Sequence, residues 1–273
     1  MTDTMTDTVA LTARKIGVVG KGGVGKTTVS GLLARAYAEA GQRVIAIDTD
    51  SNPNLGLSLG LSLQETEAVP ILPRSVLVGS GGGAPAAADL VGEYGRHTPA
   101  GVTLLSAIKV AAAGAGCTCS GHATVRSLLA DALADTDVTL VDMEAGLEHL
   151  SRSGGTLAYA DALVVVCEPT RKSVLTAVRT AALADELGIP QVLVVGNKAQ
   201  TADDVDFFAT AFAAEGLQLA GVLPYDARVA DDDRAGAVGV TPTGEPLAQA
   251  LTALVAAIAA ALGNEVGAVD AAG

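Results

Sequence analysis

Nine residues near the start of the chain carry the densest chemistry. Gly20-Lys21-Gly22-Gly23-Val24-Gly25-Lys26-Thr27-Thr28 fits the phosphate-loop pattern of a Gly, four residues, then Gly-Lys-Ser/Thr. Glycines at positions 22, 23 and 25 let backbone N–H groups close around phosphate oxygens, because no Cβ intrudes. Val24 and Thr28 complete the cradle. Lys26 is expected to reach the β- and γ-phosphates, and the Thr27 hydroxyl to hold Mg²⁺. Lys21 is a second lysine that a simple phosphate cradle does not require.

Carboxylates form the next layer. Asp48 and Asp50 follow one β-branched run and Asp142 ends another. Beside a phosphate loop such groups hold Mg²⁺, directly or through water, or orient an attacking water. Asp142 is assigned to the metal and Asp50 to the water. Asp48 is the alternative group for assisting the metal or Lys26. The plain alternative is that aspartates simply open loops. Base recognition is expected at Asn197-Lys198, followed by Ala199-Gln200. A guanine site needs a carboxylate where Gln200 stands, and an amide cannot supply that paired acceptor, so ATP is favoured. Pro224, Tyr225 and Asp226 are expected to form the other wall of the base site.

A third group lies at Gly116-Cys117-Thr118-Cys119-Ser120-Gly121-His122. Cysteines two apart can point the same way in an extended segment. A following helix N-terminus lowers thiol pKa values and favours thiolate. Thiolates suit Zn²⁺, Cu⁺ and, in planar sites, Ni²⁺. One Cys-x-Cys gives half of a four-coordinate shell, and a two-fold axis would supply the rest. His122 is a further ligand or a pH-sensitive gate. A redox pair, or two small buried residues, is the competing reading of Cys117 and Cys119.

The elements that must position these groups follow from hydrophobic periodicity. Residues 15–19, 43–48, 138–142, 162–167, 191–197 and 217–223 read as buried strands. Helices are predicted over 29–39, 124–135, 172–187, 204–215 and 245–262. This alternation predicts an α/β fold, a mostly parallel doubly wound sheet with helices on both faces and ligands beyond the strands' carboxyl ends. The ATPase domain is expected over 14–263, between flexible tails at 1–13 and 264–273, with the Cys-x-Cys segment at 116–122. Gly79 to Ala88 is Gly/Ala/Pro-rich and reads as a surface loop.

Composition narrows the function classes. The chain has 273 residues, 49% hydrophobic and 17% charged, which fits a globular protein with a substantial core. A formal charge of −13 argues against nucleic acid as a partner. No apolar run is long enough to span a bilayer, and Met1 to Thr8 is unlike a secretory signal. Three cysteines do not make a disulfide framework, so a cytoplasmic protein is expected.

GKGGVGKTT resembles the deviant Walker A loop of the MinD/ParA/nitrogenase-iron-protein class, P-loop NTPases of the SIMIBI type. In that class the extra lysine, here Lys21, reaches the nucleotide across a dimer interface. The chain also resembles the CooC-type nickel-insertion ATPases that mature carbon monoxide dehydrogenase. The shared pieces are the loop, Cys117-Thr118-Cys119, Asp142-Met143-Glu144-Ala145-Gly146-Leu147-Glu148-His149-Leu150, Glu168-Pro169-Thr170-Arg171-Lys172-Ser173-Val174 and Asn197-Lys198. The resemblance implies an ATP- and Mg²⁺-dependent homodimer carrying Ni²⁺, or Zn²⁺, at the cysteines of its interface. Its expected client is carbon monoxide dehydrogenase or a related metalloenzyme. The Gly/Ala-rich 79–96 region departs from the family and leaves the client-facing surface open.

Two other classes compete. A positioning ATPase would need a basic patch or a membrane-surface helix, but residues 245–262 are apolar and poor in Lys/Arg, as core packing requires. An electron-transfer ATPase would bridge a cluster with cysteines distant in sequence. Here Cys117 and Cys119 are near neighbours, and Cys167 reads as a buried strand residue.

Overall fold

The computed structural model describes residues 14–73, 85–109, 119–130, 136–146, 150, 155–235 and 244–263. The chain opens with β1 (Arg14–Gly20), α1 (Lys26–Glu39) and β2 (Val44–Asp48). Three short helices follow: α2 (Leu55–Ser58), α3 (Leu63–Glu67) and α4 (Ala87–Tyr94). Then come β3 (Arg96–His97), β4 (Thr103–Ser106), α5 (Cys119–Ala130) and β5 (Val138–Asp142). The second half holds β6 (Ala162–Cys167), α6 (Arg171–Glu186), β7 (Gln191–Ala199) and α7 (Ala202–Ala214). It closes with β8 (Gln218–Pro224), α8 (Ala227–Ala235) and α9 (Glu245–Ala261).

The strands form one eight-stranded sheet in the order β3-β4-β2-β5-β1-β6-β7-β8. Every neighbouring pair is parallel except β3 with β4. The expected mostly parallel, doubly wound α/β sheet is therefore present. Side chains alternate between two cores, as a pleated strand requires. Ile16, Val18, Val164 and Val166 join one core with α1 and α9. Val19, Val141, Leu163 and Val165 join the other with α5, α6 and α7. Burial on both faces explains the near-continuous β-branched runs.

Helix starts follow local chemistry. Thr170 accepts a hydrogen bond from the Ser173 N–H and caps α6. Thr201 and Asp204 form a capping box, so α7 begins at Ala202, before the expected 204. In α9, Leu247, Leu251, Leu254 and Ile258 are all buried at helical spacing, so its apolar face packs into the core. Among the described residues no helix is long and apolar enough to cross a membrane.

Two expectations are corrected, and two elements are added. The predicted 79–88 loop overlaps α4, which starts at Ala87; Ala87 and Leu90 are buried, so this stretch supports the core despite its composition. Residues 79–84 lie outside the described residues. The helix expected from 124 starts at Cys119, and β4 adds a parallel strand beside β2 that its four residues were too short to announce. Finally, α8 occupies a stretch to which the sequence assigns no element, and Asp226 receives the Arg228 N–H at 2.9 Å at its start.

Candidate nucleotide-binding site

The glycine-rich loop leaves β1 in the middle of the sheet and ends at α1. Gly25 caps α1 with φ 93°, a left-handed conformation that glycine adopts without strain. A Cβ there would also lie 2.5 Å from Asn197 Nδ2, so the position is closed to larger residues twice over. Gly20 is similarly restricted: φ is 149°, and a Cβ would meet the Val166 carbonyl oxygen at 2.5 Å. Gly22 and Gly23 are exposed, Val24 is buried, and Thr27 and Thr28 are half-buried in the first turn of α1. The free N–H groups of that turn are an anion site.

Lys26 is 8% exposed, and its Nζ lies 3.4 Å from the Lys21 carbonyl oxygen. Burial pushes its ammonium below the ordinary lysine value, while the carboxylates of Asp142, Asp50 and Glu144 pull it back up. The predicted catalytic lysine and acids thus share one electrostatic neighbourhood. Lys21 is half-buried on the same loop.

Asp48 and Asp142 are register partners at the carboxyl ends of β2 and β5, each 1% exposed. Burial pushes Asp142 up to about 6, against hydrogen bonds from Thr27 and Ser30 and the charge of Lys26. The Ser30 hydroxyl donates to Asp142 Oδ1 at 2.9 Å. Burial and then the Asp142 charge push Asp48 up to about 7. Asp48 Oδ1 accepts the Asp50 N–H at 3.0 Å and its Oδ2 accepts the Leu55 N–H at 2.9 Å. It therefore shapes the loop after β2, each oxygen accepting one backbone N–H. Asp50 is half-buried, lines the cavity and accepts the Asn52 N–H at 2.9 Å.

Across the loop lies a cavity of about 650 Å³. Its floor is the phosphate loop, and Pro224, Tyr225 and Asp226 line it too. Asn197 and Lys198 also line it, yet both bind the loop itself. Asn197 Nδ2 donates to the Val24 carbonyl at 2.8 Å, and Lys198 Nζ donates to the Gly23 carbonyl at 2.6 Å. Asn197 is thus a clamp on the cradle, a role that base-site reasoning missed. Lys198 takes φ 62° to reach it. Leu32, Val229, Ala230 and Leu247 supply apolar walls that the sequence reading did not name. The turn chemistry of Asp226 was the available signal for α8, and thus for Val229 and Ala230.

The ligands available for Mg²⁺ are the Thr27 hydroxyl and the buried Asp142 carboxylate, whose charged form Thr27 favours. Oxygen donors beside a phosphate cradle fit a hard cation. Cys117 lies outside the described residues; Cys119 begins α5. His122 is half-buried in the first turn of α5. Glu148 and His149 also lie outside the described residues. Among the described residues no cluster of three or more His, Cys, Asp or Glu is arranged to hold a metal ion. Cys167 is buried as expected, its thiol pushed up to about 12 by burial, and is inert.

Comparison with known proteins gives a consistent placement. Residues 16–238 match the CobQ/CobB/MinD/ParA nucleotide-binding domain family. The chain is 38% identical to the carbon monoxide dehydrogenase accessory protein CooC of Rhodospirillum rubrum, covering 81% of this chain and 88% of that one. It is 35% identical to an uncharacterized ATP-binding protein of Methanocaldococcus jannaschii, over 79% of this chain and 86% of that one. In fold it resembles the septum site-determining protein MinD of Pyrococcus horikoshii, solved with Mg-ADP. The TM-score is 0.68 at 21% identity, covering 90% of this chain and 96% of that one.

Proposed function

Because the chain belongs to the CobQ/CobB/MinD/ParA nucleotide-binding family and is a relative of CooC, we propose that it is an ATP-dependent metallochaperone for a nickel enzyme. Its client is carbon monoxide dehydrogenase or a related metalloenzyme. The observation that carries this reading is the 38% identity to CooC, sustained over 88% of that protein's length.

In this reading residues 14–263 form the ATPase unit. Backbone N–H groups of Gly22–Thr28 hold the phosphates, and Lys26 stabilises charge on the transferring group. Thr27 and Asp142 would hold Mg²⁺, which when bound neutralises charge on the β- and γ-phosphate oxygens. Asp50, at the cavity edge, orients the attacking water. The apolar wall of Val229, Ala230 and Leu247 receives the base, beside Pro224 and Tyr225. Lys21 contributes across a homodimer interface.

Ni²⁺ or Zn²⁺ is the cargo, held by Cys117 and Cys119 from both protomers, with thiolate as the binding form. Hydrolysis alters the pairing of the protomers and so the metal affinity. Neither nucleic acid nor membrane is a partner, and the site of action is the cytoplasm.

Nickel titration of wild type, Cys117→Ser and Cys119→Ser, with and without Mg-ATP, tests the assignment. Mass in solution is measured at each step. About one metal per dimer is expected, with tight binding lost in both variants and weakened as pH falls. Equal affinity in all three proteins, or full affinity in a monomer, overturns the metal site.

A further inference from the structure

The loop after β2 carries Asp50 to the cavity, and it is tied to the loop after β5 at two places. Thr49 makes one tie: its N–H and hydroxyl both reach the Asp142 carbonyl oxygen, at 3.0 and 2.9 Å. That tie is buried and ends on backbone. The other is a side-chain pair, in which the Ser51 hydroxyl donates to Glu144 Oε1 at 2.9 Å. Ser51 follows Asp50 directly, so the two ties bracket the one carboxylate of this loop that lines the cavity. Ala145, next to Glu144, lines the cavity too.

From this bracket we infer that Ser51 and Glu144 are a positioning pair that sets Asp50 relative to the phosphate loop during hydrolysis. The inference rests on the ATPase reading above. Asp48 fixes the start and end of the loop through the Asp50 and Leu55 N–H groups. Those bonds leave the side-chain direction of Asp50 to the residues after it. Asp50 also accepts the Asn52 N–H, so Asp50, Ser51 and Asn52 form one turn. Glu144 anchors the middle of that turn. The pair is half-buried, so a hydrogen bond there is less screened than one at the open surface.

Glu144 also stands near Lys26, where its charge raises the lysine's proton affinity. Two routes to the same chemistry must therefore be separated. A positioning role works through the hydrogen bond to Ser51. A charge role works through Lys26 and does not involve Ser51. Gln at 144 removes the charge but keeps a carbonyl acceptor for the Ser51 hydroxyl. Ala at 51 removes the bond and leaves the charge. Thr at 51 restores a hydroxyl.

The experiment compares wild type, Ser51→Ala, Ser51→Thr, Glu144→Gln, Glu144→Ala and the Ser51→Ala/Glu144→Ala double variant. ATP hydrolysis is measured under Mg²⁺ as kcat and KM, and ATP affinity is measured separately by titration. Ser51→Ala and Glu144→Ala should each lower kcat by about ten-fold, as misplacement of a water-orienting group does, with little change in KM or ATP affinity. The double variant should be no worse than either single one, because both remove the same bond. Ser51→Thr and Glu144→Gln should recover most of the loss. Unchanged kcat in Ser51→Ala, or Glu144→Gln as impaired as Glu144→Ala, overturns the positioning pair while the ATPase reading stands. So does a multiplicative double variant, or a fall in ATP affinity that matches the fall in kcat. Wild type that binds ATP without hydrolysing it overturns the ATPase reading, and the pair with it.

Discussion

The two sides of the nucleotide cavity are built on opposite principles. On the β2/β5 side, buried carboxylates stand in register and backbone donors hold Asp48 from both oxygens. On the β7/β8 side, Pro224, Val229, Ala230 and Leu247 present apolar surface, and the polar residues Asn197 and Lys198 turn to the phosphate loop. In the reading proposed above, the first wall gathers the charges that face the phosphates. The second offers shape and apolar surface, which in that reading receives the base. A fold that separates these tasks can change one without disturbing the other, and that separation is open to test.

The largest effect is expected where the walls meet. Lys26→Ala should lower ATP turnover by at least about a hundred-fold, since it removes the main fixed charge facing the transferring group. A phosphate-release assay checks this, and near-normal turnover would sink the assignment of the loop.

The carboxylate wall should dominate stability. Asp48→Ala leaves the Asp50 and Leu55 N–H groups without their acceptor, at a cost of about 2 kcal/mol, read as a lower denaturation midpoint. The same wall should set a pH dependence. Asp48 is pushed up to about 7 and Asp142 to about 6, both above the ordinary 3.8. The folded protein therefore binds more protons than the unfolded chain across this window. The stability this contributes is complete below the ordinary carboxylate value and is lost as pH rises through 6 to 7. Nucleotide-free protein should show a falling denaturation midpoint from pH 5 to 8, a range that spans the two folded values. Asp48→Asn should flatten that decline. A midpoint that rises across the window in wild type would refute the buried pair.

The apolar wall should act on binding alone. Val229→Ala removes about 1 kcal/mol of apolar contact and should raise KM for ATP roughly five-fold, with kcat nearly constant. Parallel losses in kcat would show that the two walls are not independent. The smallest effect is expected at the opposite end of β5. There Arg43 pairs with Asp137 at 3.1 Å in a largely solvated setting. Arg43→Ala should cost no more than about 0.5 kcal/mol and leave ATP kinetics as in wild type. A kinetic effect there would mean that the cavity responds to strain across the whole sheet.

Much of this architecture is legible in the residues themselves. The phosphate loop announces itself because its chemistry is local: glycine spacing, a lysine and a hydroxyl within nine residues dictate a strand–turn–helix. The buried strands are equally plain, since burial on both faces demands continuous β-branched runs. By contrast, β4 and α4 escaped notice. Four residues are too few to show a period, and α4 begins where alanine-rich composition reads as loop. Asp142 stands beside Thr27 and Lys26, as its place at a strand end suggested, whereas the backbone partners that Asp48 holds after β2 could not be read from its position in the chain.

Sequence alone determined the cradle, the strand ends that carry carboxylates and the α/β class, because each depends on neighbours a few residues away. Tertiary structure decided what those groups touch. Asn197 meets Val24 across 173 residues of chain, and Ser51 meets Glu144 across 93. Whether an amide faces a base or clamps a loop depends on which strands lie side by side, here β1, β6 and β7. No local pattern encodes that adjacency. It arises when two cores are buried on opposite faces of one sheet, and only then does a side chain acquire its partner.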